Sequence, residues 1–408
     1  MVDALRDAGR VCSSAVEEAF RAVPRHLFLP GVGVREAYAD EAVAVQFDGA
    51  VATSSASQPS MMAIMLEQLD LRAGQRVLEI GAGTGYNAAL MARIVGPSGA
   101  VTAVDIDEGL VDRAAVHLAA AGVDGVQLVV ADGALGHPPG APYDRIVLTV
   151  GSDDVRPEWV AQLSPGGRLL LPLAVRGSQL STALDLGPDG VLRSHSVRSC
   201  AFIRLRGAAA SPGASVRLDG LGLAILKPED GPGPDPAAVT AALAEPGDLV
   251  ASEVPLGPAD VWDGFGLWLA VTEPGVCRLM ATEPETGLPD DLIPLGAAGG
   301  TVALVAGGGD QLPGLATVVP GSGRGRRVSQ RPVSVRAFGP AGPALAARLS
   351  AALWRWAAAG RPDAMDWRFT VVPHGAGRPD REQPEAGVLH KPSCTVHAGL
   401  VVGHPPEP

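Results

Sequence analysis

The sequence predicts an α/β fold over its first half and an α+β domain over its second. Three observations carry that expectation. The apolar run Val77-Leu-Glu-Ile80 passes into three alternating glycines, Gly81, Gly83 and Gly85, and then into apolar residues at helical spacing. From Arg76 to Leu173, strand-length apolar runs alternate with helical patterns, as in a parallel sheet covered on both faces. After Leu205 that repeat stops, and 206–214 reads as a linker. At 408 residues two domains are expected, at 1–205 and 215–408.

Taken in order, Ser14-Ala-Val-Glu17 reads as a capping box that opens a helix, which Pro24 ends. His26, in an apolar plug running to Pro30, reads as a packed histidine. Asp48-Gly49 signals a turn. Thr53-Ser-Ser-Ala-Ser-Gln-Pro59 is a polar segment before an apolar helix at Met61–Leu69; it caps that helix or walls a ligand site. Strands follow at Val77–Ile80, Ala100–Val104, Val126–Val130, Asp144–Val150 and Arg168–Leu173. Between them lie helices at Tyr86–Val95, Glu108–Ala121 and Glu158–Leu163. In the second half, Pro228–Pro236 and Gly307–Gly309 are turn-rich. Leu267–Thr272, Thr301–Val305 and Trp367–Val372 read as strands, Pro343–Ala358 as a helix, and the tail beyond His374 as irregular. Five of six tryptophans (Trp262, Trp268, Trp354, Trp356, Trp367) lie there and read as core before they read as a peptide groove.

Composition narrows the function. The net charge of -12 leaves no basic face for nucleic acid. No stretch is long and apolar enough to span a membrane, and the polar opening at Met1 carries no secretory signal. Cys12, Cys200, Cys277 and Cys394 have no metal-ligand spacing and read as buried free thiols, so no metal site and a cytoplasmic location are expected.

Ligands of such sheets sit at the carboxyl ends of the strands, where Gly81–Gly85, Asp105, Asp132 and Thr149 fall. A dinucleotide turn would place its third glycine one residue later, where Tyr86 stands. Glu79, two residues before Gly81, repels a pyrophosphate and suits a cationic ligand. Asp105 can accept both hydroxyls of a ribose, and Asp132 can reach an adenine amino group. Against an NAD site or an empty fold, three acids around one glycine turn favour S-adenosylmethionine (SAM). The first half is then a Rossmann-like SAM-dependent methyltransferase domain.

Over residues from about 12 to 205 the chain resembles the protein-L-isoaspartate O-methyltransferase family. The likeness rests on Ala22-Val-Pro-Arg25 with Phe28, Ser57-Gln-Pro59, Val77–Gly85, Asp132-Gly133, Tyr143-Asp144 and Gln162-Leu-Ser-Pro-Gly-Gly167 to Leu171-Pro172. It implies that Ser57 faces the substrate carboxylate and the SAM methyl. It also implies donor contacts at Glu79, Gly81, Asp105, Asp132 and Gly133. With the residues beside them, the candidate donor set is Ser55, Ser57, Gln58, Glu79, Gly81, Gly83, Thr84, Gly85, Asp105, Ile106, Asp132, Gly133 and Thr149. The family's usual Thr-Ile before the serine is Ser55-Ala56 here.

The added second half resembles longer relatives found with ribosomal peptide natural products (lanthipeptide, graspetide and "FxLD system" clusters). That layout implies methylation of an aspartate in a modified precursor peptide, the ester closing to an aspartimide that persists or hydrolyses to isoaspartate. The second domain would grip the peptide. General repair of isoaspartyl damage and a SAM-binding accessory without turnover are the alternatives. A carboxylate is already ionised at neutral pH, so methyl transfer to it needs alignment and no general base.

Overall fold

The computed structural model describes residues 1–210, 215–218, 220–226, 233–282, 299–308, 311–320, 332–375 and 385–401. The expected turn at Pro228–Pro236 lies outside them as far as residue 232, as do Gly309 and residues 211–214 of the expected linker.

Three helices lead the chain: α1 (Val2–Asp7), α2 (Ser14–Ala22) and α3 (Val34–Ala37). The cap of α2 is Ser13, whose hydroxyl accepts from the Val16 N–H at 3.3 Å, so the cap sits one residue before the expected box. A hairpin, β1 (Val43–Asp48) and β2 (Val51–Ala56), turns at Asp48-Gly49 and leads into α4 (Pro59–Leu69). The polar segment is therefore mostly strand, and only Ser57-Gln58 joins it to the helix. His26 is exposed and lies against Tyr38, its Nδ1 3.0 Å from the phenol oxygen, and is not packed in the core as expected.

The alternating unit follows: β3 (Arg76–Ile80), α5 (Tyr86–Val95), β4 (Ala100–Asp105), α6 (Glu108–Ala120), β5 (Val126–Val130), β6 (Tyr143–Leu148), α7 (Pro157–Val160) and β7 (Leu163–Val175). These strands pair in parallel in the order β5-β4-β3-β6-β7. Two strands that the sequence reading missed, β8 (Ser178–Leu186) and β9 (Leu192–Ser199), then extend the sheet antiparallel.

The second half contributes β10 (Ser215–Leu218), β11 (Leu223–Leu226), α8 (Pro236–Leu243), β12 (Pro246–Pro255), α9 (Pro258–Trp262) and α10 (Phe265–Thr272). After them come β13 (Val276–Ala281), β14 (Gly300–Gly308), β15 (Gln311–Pro320), β16 (Pro332–Phe338) and α11 (Gly342–Ala358). Its strands form a seven-stranded antiparallel sheet, β10-β11-β13-β14-β15-β16-β12. Leu267–Thr272 is helix and not strand. Phe265–Val271 is buried on every side, and a short all-apolar run carries no period to separate the two states.

The tail is not irregular. Strands β17 (Trp367–Pro373), β18 (Glu385–His390) and β19 (Cys394–Leu400) return to the first sheet. There β17 pairs with β9, completing ten strands in the order β18-β19-β17-β9-β8-β7-β6-β3-β4-β5. The expected cut at 206–214 is thus crossed by a sheet that takes strands from both sides. One apolar core is continuous across the two halves, from Leu78 and Ile146 through Leu180 to Trp268, Leu349 and Trp356. Of the five tryptophans of the second half, four sit in or against that core and Trp354 is exposed. Among the described residues no helix is long and apolar enough to cross a membrane. The cysteines are free, with Cys277 and Cys394 buried, Cys200 half-buried and Cys12 exposed, so the expectation of burial fails at Cys12.

Candidate active site

One cavity is bounded by the carboxyl ends of β3, β4 and β6, by the β2–α4 junction and by the extended segment 199–206. The glycine turn forms its floor. Gly81, Gly83 and Gly85 all have positive φ, at 102°, 52° and 84°. A Cβ on Gly81 would lie 2.7 Å from the Thr149 hydroxyl, which itself donates to the Gly81 carbonyl at 2.6 Å. Thr149 therefore lines the cavity and braces the turn. Gly85 does not line it: a Cβ there would meet the Ala114 Cβ at 3.2 Å, so this glycine lets α6 pack against the turn. Thr84 lines the cavity, and its carbonyl lies 3.0 Å from Nδ1 of His117.

Glu79 is fully buried and, contrary to expectation, does not line the cavity, whereas Asn87 does. One carboxyl oxygen accepts from Asn87 Nδ2 at 2.8 Å; the other has no partner. Burial pushes its pKa up to about 8, against the Asn87 hydrogen bond, with a smaller push from Asp105. Asp105 lines the cavity at the end of β4. Its carboxylate accepts from the Gly83 N–H at 3.0 Å and from the Asp107 N–H at 3.1 Å, which aims it beside the turn. Ile106 adds an apolar face and is 39% exposed.

Asp132 departs from expectation. Its oxygens accept from the N–H groups of Ala134 at 2.9 Å and Ala208 at 2.7 Å, and its side chain does not line the cavity. The segment after Leu205 folds back onto it, so the carboxylate holds backbone rather than facing an adenine. Gly133 does line the cavity; a side chain there would collide with Ile80.

The acceptor side is built by the β2–α4 junction. Ser55, Ser57 and Gln58 line the cavity, and among the described residues the Ser57 hydroxyl has no hydrogen-bond partner. Gln58 Nε2 donates to the Asp40 carbonyl at 2.9 Å, and Asp40 caps the Ser60 N–H at 2.8 Å, which pins the junction from outside. From inside it is pinned by Arg25, a cavity-lining residue that carried only family likeness in the sequence. Its Nη2 donates to the Ser57 carbonyl at 2.8 Å and its Nε to the Ala37 carbonyl at 2.9 Å, while the guanidinium lies 5.2 Å from the Tyr86 ring centre. Burial holds the Arg25 pKa below its usual value.

The wall at 199–206 carried no motif and was not anticipated. Its backbone bridges to Gly151, and Arg206 lies 3.9 Å from Asp105 and 4.0 Å from Asp107. The residues present fit SAM: a turn too tight for side chains, a carboxylate aimed beside it, and a buried carboxyl oxygen left without a partner. Bound there, SAM would supply a methyl on a cationic sulfur, held by Asp105, Asn87 and the turn.

A family profile described as protein-L-isoaspartate(D-aspartate) O-methyltransferase matches residues 1–210. A protein-L-isoaspartate O-methyltransferase of Methanopyrus kandleri is 41% identical over 208 residues, covering 51% of this chain and 90% of that protein. Protein-L-isoaspartate O-methyltransferase 2 of Archaeoglobus fulgidus is 40% identical over 195 residues, covering 48% and 86%. A solved protein-L-isoaspartate O-methyltransferase structure is 22% identical and covers 90% of this chain and 94% of its own, with a TM-score of 0.49. The chain belongs to the protein-L-isoaspartate(D-aspartate) O-methyltransferase family, whose members are SAM-dependent carboxyl methyltransferases.

Proposed function

We propose that this protein transfers the SAM methyl to the free carboxylate of an isoaspartyl residue in a peptide or protein. The observation that carries the reading is the unpartnered Ser57 hydroxyl opposite the glycine turn, at a junction clamped from both sides. The acceptor is anionic at neutral pH, so the protein's contribution is alignment of acceptor with donor. Ser57 donates to the carboxylate and orients one oxygen; Arg25 fixes the Ser57 backbone and adds positive charge on that side. Asp105 holds the ribose, and Asn87, backed by Glu79, faces the cationic end of the donor. The ester then closes by attack of the following backbone nitrogen with loss of methanol, a step within the substrate. Four unpaired cysteines support a reducing, cytoplasmic setting.

A second reading is favoured by the half of the chain beyond the family match, which packs on the site-bearing sheet. In it, the acceptor is an aspartate of a modified ribosomal precursor peptide, gripped by residues 215–408, and the product is an aspartimide or isoaspartate. A panel of unrelated isoaspartyl peptides, set beside aspartyl precursors encoded next to the gene, separates the two. Turnover across the panel supports isoaspartyl repair. Turnover of one precursor only transfers the assignment to the second reading.

A further inference from the structure

The second half of the chain touches the cavity wall at defined points. Segment 199–206 lines the cavity, and its first residue, Ser199, donates to Oδ1 of Asp263 at 2.5 Å. Asp263 belongs to the second half, where it caps the carboxyl end of α9. Next to it, the Trp262 carbonyl accepts from Ser178, and Arg278 also donates to Ser178, at 2.7 Å. Gln179, one residue on, clamps the middle of the wall: its amide accepts from the Phe202 N–H at 2.5 Å and donates to the Phe202 carbonyl at 3.2 Å. Both ends of the β8–β9 hairpin, from which the wall emerges, are therefore held by the α9–α10 corner. Among the described residues the donor-binding turn is braced by Thr149, Asp105 and α6, and the wall nears it only at its far end, where Arg206 lies 3.9 Å from Asp105.

From this arrangement we infer that Asp263 is a positioning residue for the acceptor peptide, and that the second half acts on specificity by setting the wall at 199–206. The inference rests on the proposed carboxyl methylation. Loss of the Asp263 contact frees the start of the wall, loosens peptide binding and leaves donor binding intact. A grip on the peptide by direct contact is not required.

The test uses the full chain, an isoaspartyl peptide and SAM, with the variants Asp263→Ala, Asp263→Asn and Ser199→Ala. The expected result for Asp263→Ala is a peptide KM raised about tenfold, as for loss of one charged hydrogen bond, with kcat and S-adenosylhomocysteine affinity retained. Because the two residues act as one contact, Asp263→Ala/Ser199→Ala should be no worse than the worse single variant. Amide hydrogen exchange at 199–206 should quicken in Asp263→Ala while that of 81–85 stays unchanged. Additive losses, an unchanged KM, or a parallel loss of S-adenosylhomocysteine affinity overturn the inference. If the wild type methylates no peptide, the functional reading fails on its own. Exchange at 199–206 then still decides whether Asp263 sets the wall.

Discussion

The guanidinium of Arg25, with no exposed surface, donates to the backbone carbonyl of Ser57 at 2.8 Å. Its other strong acceptor is the Ala37 carbonyl, and no carboxylate lies in ion-pair range among the described residues. A buried cation with neutral partners is costly, and here it ties the plug after α2 to the acceptor serine. A lysine cannot reproduce the two-carbonyl fork. Arg25→Lys should destabilise the fold by about 1–3 kcal/mol in thermal or urea unfolding. It should also lower kcat with S-adenosylhomocysteine affinity little changed. Wild-type kcat in this variant would remove Arg25 from the site.

Ser57→Ala removes the hydroxyl while leaving the Arg25 contact, which is made to the backbone. A fall in kcat/KM of roughly 10- to 100-fold is expected, as for one hydrogen bond to a charged group. Calorimetric S-adenosylhomocysteine affinity should hold. If affinity for that product collapses instead, Ser57 belongs to the donor side.

Glu79 gives a pH signature. Its folded pKa of about 8 lies above the ordinary 4.5, so the folded state keeps a proton that the unfolded chain releases. The protonated form's stabilisation is complete below about pH 4.5, declines as pH rises, and is gone above about pH 8. Glu79→Gln, neutral throughout, should flatten that decline in the ligand-free protein, by an amount on the order of a few kcal/mol across the window. Denaturant unfolding at intervals from pH 5 to pH 9 measures it, at about half-unit steps. Parallel curves for the two proteins would mean that Glu79 is ionised in the fold.

Gly81→Ala tests the floor of the site. With φ at 102° and Thr149 Oγ1 2.7 Å from the added carbon, the turn must open or strain. A stability loss of about 1–3 kcal/mol is expected, with S-adenosylhomocysteine binding weakened in proportion. Undiminished binding would show that the donor does not lie against this turn.

The strand–turn–helix unit was legible because each element carries its own local signal: glycines at 81, 83 and 85, and apolar periods of two kinds from Val77 to Leu173. The same locality explains why Asp105 was found at a strand end, whereas Ser57 and Gly133 came from the family likeness; all three line the cavity. Residues whose role depends on distant chain were not. Asp132 looked like a ligand until Ala208 folded back onto it, 76 positions along the chain. The wall at 199–206 has no composition of its own and exists because Gly151, Gln179 and Asp263 hold it. Strand β17 was legible at Trp367–Val372, but its place beside β9 of the other half was not, and β18 and β19, which build outward from β17, were read as an irregular tail.

The most direct measurement is intact-mass analysis of an isoaspartyl peptide incubated with the full chain and SAM, beside the same peptide with ordinary aspartate. The isoaspartyl peptide should gain the mass of one methyl group and then lose methanol. The aspartyl peptide should stay unchanged. No mass gain on the isoaspartyl peptide, from protein shown to bind S-adenosylhomocysteine, would contradict carboxyl methylation at Ser57.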